Sequence, residues 1–150
     1  KAEGYYQRSL KIEEELGNRS GIAKSLHQLG MIAEDRGDYN KAEGYYQRSL
    51  KIEEELGNRR GIARSLHNLG VIAFKRGDIR RAVRLTAVAY DISSAIGSAD
   101  ATVMKRNLEI FQQATGAKRF NKLVEEARSD PDAVIRDALS DRGWRDTGTR

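Results

Sequence analysis

The amino-acid sequence predicts an all-α fold, a solenoid of antiparallel helix pairs, on three observations. Residues 1–40 return as residues 41–80 with only eight differences, and Lys1–Arg19 recurs unchanged as Lys41–Arg59. Glycines stand at 17, 37, 57, 77 and 97, one every twenty residues. Between them apolar residues follow helical spacing, as in Ile62, Leu66, Leu69 and Ala73, and no segment alternates as a strand would. A forty-residue period divided by a glycine describes a two-helix unit. One such unit cannot bury its own apolar face, so successive units must stack.

Helices are expected over 2–16, 21–36, 40–56, 61–76, 80–96, 100–115, 117–129 and 131–142. A glycine at a boundary closes the preceding helix by taking the left-handed conformation. The last helix has its own start signal: Asp130 caps the free amides, and Pro131, the only proline, fills the first turn, where a missing N–H costs nothing. Gly143–Arg150, with Trp144 among polar residues, is expected to be a frayed tail. The array spans 1–115 and opens in mid-repeat with a second helix, as if cut from a longer protein. A full unit at 21–60 follows, then one at 61–97 and a degenerate one at 98–115. Beyond Arg80 the repeat decays: Ala82, Ile92 and Gly97 hold the frame, but 101–116 no longer matches 61–77. Residues 116–142 then form a helical cap.

Composition narrows the function. Hydrophobic residues at 39% and charged ones at 33% suit a soluble, highly charged helical protein. The longest apolar-leaning run, Leu85–Ile96, is short and broken by Asp91, and no signal-peptide pattern opens the chain. Without cysteine there is no disulfide or thiolate chemistry, and a cytoplasmic location is expected. No nucleophile-elbow serine and no phosphate-cradling glycine loop is present, so neither an enzyme nor a cofactor is expected. His27 and His67, the two histidines, stand one repeat apart with no further ligand to complete a metal shell.

The string Leu26-x-x-Leu29-Gly30-x-x-Ala33, then Gly37-Asp38-Tyr39, then Ala42-x-x-x-Tyr46, resembles the tetratricopeptide repeat (TPR) signature. The frame returns at Leu66, Leu69, Gly70, Ala73, Gly77, Asp78, Ala82 and Thr86. Leu26 stands for the usual tryptophan, Ala33 for tyrosine, Ser49 for alanine and Glu54 for the closing proline, departures that fit the forty-residue class with its Leu56-Gly57-Asn58 turn. The resemblance implies a right-handed α–α superhelix whose first helices line a concave groove and whose second helices form the outer wall. Residues 81–142, through Arg81–Tyr90, Ile96-Gly97, Phe120, Ala127-Arg128 and Asp132-Ala133-Val134, also look like the carboxy-terminal end of bacterial TPR-containing regulators of the LuxR-like and STAND types. In those proteins the repeats form the sensor or partner-binding end.

The eight differences map onto that frame. Lys24/Arg64, Gln28/Asn68, Met31/Val71 and Asp35/Lys75 lie four, three and four residues apart, so they share one stripe of the first helix, with Glu34/Phe74 beside it. The second helix does not change. Drift at exposed positions after duplication is the plain explanation. It leaves unexplained why Glu13, Glu14 and Glu15, expected to be equally exposed, recur unaltered. The other explanation is a recognition surface retuned between units, turning from acidic to basic. In the family an inner-helix asparagine often hydrogen-bonds a bound peptide backbone; Asn68 matches that place and Gln28 is its longer counterpart. The expected contacts are therefore Lys24, His27, Gln28, Met31, Asp35, Arg64, His67, Asn68, Val71, Phe74 and Lys75. The partner would be a peptide or protein segment with an acidic stretch facing Arg64 and Lys75. Two alternatives stand behind this one: a structural or oligomerising spacer, and a nucleic-acid surface through the basic region 59–84, disfavoured because no aromatics are interleaved for base stacking. At the amino-terminal end, the stripe through Tyr5, Tyr6, Leu10 and Ile12 is expected to self-associate or to meet a preceding repeat.

Overall fold

A computed structural model describes residues 1–140. Among these residues the chain forms eight helices: α1 (Ala2–Leu16), α2 (Arg19–Asp35), α3 (Tyr39–Leu56), α4 (Arg59–Lys75), α5 (Ile79–Ala95), α6 (Asp100–Thr115), α7 (Ala117–Ser129) and α8 (Pro131–Leu139). The last helix, expected to run to 142, ends at Leu139, because Ser140 takes an extended backbone; residues 141–142 and the expected tail at 143–150 lie outside the described residues. None of these helices is long and apolar enough to cross a membrane.

Four of the helices begin where polar caps place them. Asn18 accepts a hydrogen bond from the Gly21 amide at 3.1 Å, so α2 opens at Arg19, two residues before the expected start, and Gly21 lies inside the helix. Asp38, Asp78 and Asp130 cap α3, α5 and α8 in the same way. At the far ends of α1 and α3, Gly17 and Gly57 both take φ 67°, and each donates its amide back to the helix.

The chain divides into two compact units, 1–58 and 59–150. In the first, α2 lies between α1 and α3. Ile22, Ala23 and Leu26 of α2 form a buried cluster with Ile52 of α3, flanked by Leu10 and Tyr45. Close approach depends on Gly30, since a Cβ there would stand 2.6 Å from the ring of the fully buried Tyr46. In the second unit α4 pairs with α5, and Gly70 faces Thr86 in the equivalent place. Helix α5 is the centre of this unit: α4, α6, α7 and α8 all pack on it, and its Ala82, Val83, Ala87 and Ala89 are fully buried. Helix α7 is fastened to α5 by a two-pronged bond, Arg128 Nε to Asp91 Oδ2 at 2.9 Å and Nη2 to Oδ1 at 3.0 Å.

Candidate protein-binding surface

Helix α2 commits one side to packing. Ile22, Ala23, Leu26, Leu29, Gly30 and Ala33 are buried, and their spacing fixes which residues turn away. Lys24, Gln28, Met31 and Asp35 lie on the opposite side; Lys24, Met31 and Asp35 are exposed and Gln28 is half-buried. Met31 is 44% exposed, a flexible apolar side chain open to a partner. Helix α4 repeats the division. Arg64 and Lys75 are exposed, and Asn68 and Val71 are half-buried.

Three other expected contact residues are turned into the fold. The His27 ring lies 5.5 Å from that of Tyr46, whose hydroxyl donates to Glu34 Oε1 at 3.0 Å. Burial pushes the Tyr46 phenol far up and the Glu34 carboxylate adds to the shift, so the hydroxyl keeps its proton as a donor. His67 Nε2 meets Asn107 Nδ2 at 2.7 Å; with the amide donating, Nε2 is the acceptor nitrogen. Phe74 lies against Phe111 with ring centroids 4.6 Å apart, so the apolar platform expected on α4 faces another ring.

Arg64 also has a partner within the chain. Its Nε donates to Asp100 Oδ2 at 2.8 Å, and Arg60 reaches the same oxygen at 3.5 Å. The Arg64 hydrogen bond holds the Asp100 carboxyl below the usual aspartate range, with Ser98 and the Arg60 charge assisting against partial desolvation. Asp100, Asn107 and Phe111 all belong to α6, so this helix lies along one flank of α4. The signal for it was an interval. Arg60 and Asp100, like His67 and Asn107, stand forty residues apart and hold equivalent places in successive repeats.

The basic region is partly neutralised. Arg60 and Arg64 share Asp100, Arg84 reaches Glu126 at 3.4 Å, and Asp78 and Asp137 join Arg80, Arg81 and Arg84 around a cleft between α5 and α8. Of the glutamates expected to be equally exposed, one in each copy is not. Glu13 is half-buried and Glu53 is buried, accepting from Ser49 at 3.2 Å and from Asn58 at 2.7 Å. Glu14 and Glu55 are exposed but pair with Arg48 and Arg19. Packing and ion pairing thus give the second helix reasons of its own to stay unchanged.

Consecutive helix pairs joined at glycine turns, with Gly30 and Gly70 in equivalent places where the helices of a pair meet closely, define a helical repeat protein. The tetratricopeptide repeat family profile matches residues 1–55 and, overlapping, residues 21–95. The chain belongs to this family, whose repeats are protein–protein interaction modules rather than catalysts. Among curated proteins no match to the chain is found.

Proposed function

We propose that the chain captures a peptide or protein segment on the partly exposed stripes of its first helices, Lys24, Gln28, Met31 and Asp35 on α2 and Arg64, Asn68, Val71 and Lys75 on α4, each stripe within its own unit. The observation that carries this reading is a coincidence of two patterns. The positions that differ between the copies on the first helix are largely those that packing leaves open, while His27 and His67, turned into the fold, are the same in both. Gln28, with Asn68 in its place on α4, is an amide of the kind that can donate to and accept from a peptide bond whatever the ligand's side chains. Asp100 already sits on Arg64, so an acidic stretch would be met chiefly by Lys24, with Lys75 the other exposed cation of the stripes. The likeness of residues 81–142 to the ends of bacterial regulators supports a place for this module in a larger regulatory protein.

Selection from a random displayed-peptide library tests the reading. Recovered peptides should be enriched in aspartate and glutamate and should lose affinity when Lys24 and Lys75 are both changed to Glu. Peptides without charge bias, or indifferent to that double substitution, would contradict it. Labelled duplex DNA, used as a control, should bind no better than a neutral polymer at physiological salt.

A further inference from the structure

Helix α5 departs from its copy at its first two turns. Where α3 carries Asn40, Lys41, Gly44 and Tyr45, α5 carries Arg80, Arg81, Arg84 and Leu85. These four residues face α8 across a cleft of about 250 Å³, floored by Leu85 together with Val134 and Ala138 of α8, all three buried. Two carboxylates share the rim. Asp78 is committed as the cap of α5, accepting the Arg81 amide at 3.1 Å, and Asp137 is exposed. Arg84 reaches Glu126 through Nη1 alone, at 3.4 Å; its other side-chain donors, and those of Arg80, meet no acceptor among the described residues. Packing does not call for this charge: Gly44 shows that a helix at this place in the repeat forms without any side chain there, and the floor is apolar already.

We propose that the cleft is a binding site for a small phosphate monoester, its phosphate on Arg80 and Arg84 beside Arg81 and its organic body on Leu85, Val134 and Ala138. Guanidinium forks match the oxygens of carboxylate and phosphate alike. A monoester is selected because it carries nearly two charges at neutral pH and three oxygens, enough for more than one arginine, whereas a lone carboxylate is satisfied by a single fork. The cleft is smaller than the ~300–1,000 Å³ of pockets that take drug-sized ligands, so the body is about one ring. The site lies wholly within the unit 59–150 and uses no residue of the stripes on α2 and α4, so either activity can be lost without the other.

The probe is phenyl phosphate, titrated into the isotope-labelled full chain and followed by amide chemical shifts. Saturable shifts centred on residues 80–85 and 134–138 are expected. Benzoate, with one charge, and inorganic phosphate, with no body for the floor, should each bind about tenfold or more weakly. Arg80 is exposed, so Arg80→Gln leaves the fold in place, which a thermal melt checks, and it should weaken phenyl phosphate about fivefold. Lys51→Glu, a larger change in net charge on the exposed side of α3, should leave the affinity as it was. Shifts that do not saturate, or an equal loss from Lys51→Glu, would reduce the cleft to bulk positive charge and overturn the proposal. Equal affinity for benzoate or inorganic phosphate, or an Arg80→Gln chain that binds as tightly as the native one, overturns it as well.

Discussion

The contact between Gly30 and Tyr46 concentrates the packing of the first unit into one pair. Tyr46 is fully buried and its hydroxyl is tied to Glu34, so the ring has no room to retreat from a methyl group at position 30. Overpacking of this kind costs about 1–3 kcal/mol, offset by up to about 1 kcal/mol from alanine's helix propensity. Gly30→Ala should therefore lower stability by about 1–2 kcal/mol in urea unfolding. Trimming Tyr46 to leucine should cost less in that background than in the native chain, and strict additivity of the two changes would show that the clash is not the cause. Tyr46→Phe tests the polar half of the contact, since it leaves the part-buried Glu34 oxygen without its donor. A loss of about 1 kcal/mol is expected, and an unchanged midpoint would mean the hydroxyl contributes nothing.

At the scale of elements, α6 is held along α4 in part by Asp100. Folding lowers the pKa of this carboxyl, so its contribution is complete above the unfolded aspartate value near ~3.9 and disappears as pH falls through the lower folded value. Because Arg64 and Asp100 are both partly exposed, solvent screening holds the contribution to about 0.5–1 kcal/mol. Asp100→Asn should cost that much at neutral pH, and the difference should shrink and vanish as pH falls through the lowered folded value. A difference that persisted in acid would place the effect elsewhere than in the charge. The helices themselves were legible in the sequence because glycines every twenty residues mark where most of them end, while the starts were less so, since Asn18 opens α2 two residues before the expected start. The flank made by α6 was not, since the repeat decays after Arg80 and hides the forty-residue correspondence of Asp100 with Arg60 and of Asn107 with His67. Nor did the pattern show that Glu53 is buried beneath Asn58, because a run of three glutamates near a helix end reads as solvated surface.

For the whole molecule, two nearly identical blocks of sequence are separated in use by what packs on them. The stripe on α2 stands clear of the packing side of its helix, while α4 has its flank met by α6, so the retuned positions are divided between open surface and fold. The net charge of +5 would bias encounter toward acidic partners, and in the function proposed above specificity would be left to the Gln28 amide and to Met31. Affinity for a selected acidic peptide should therefore fall as salt rises past the Debye regime, while the ranking among peptides of equal charge is kept. The most direct measurement is calorimetric titration of such a peptide into the chain and into the Lys24→Ala/Gln28→Ala double variant, with thermal melting of both proteins. The account predicts at least about a tenfold loss of affinity, a difference of ~1.4 kcal/mol, with the melting temperature nearly unchanged. Equal affinity for the two proteins would contradict it.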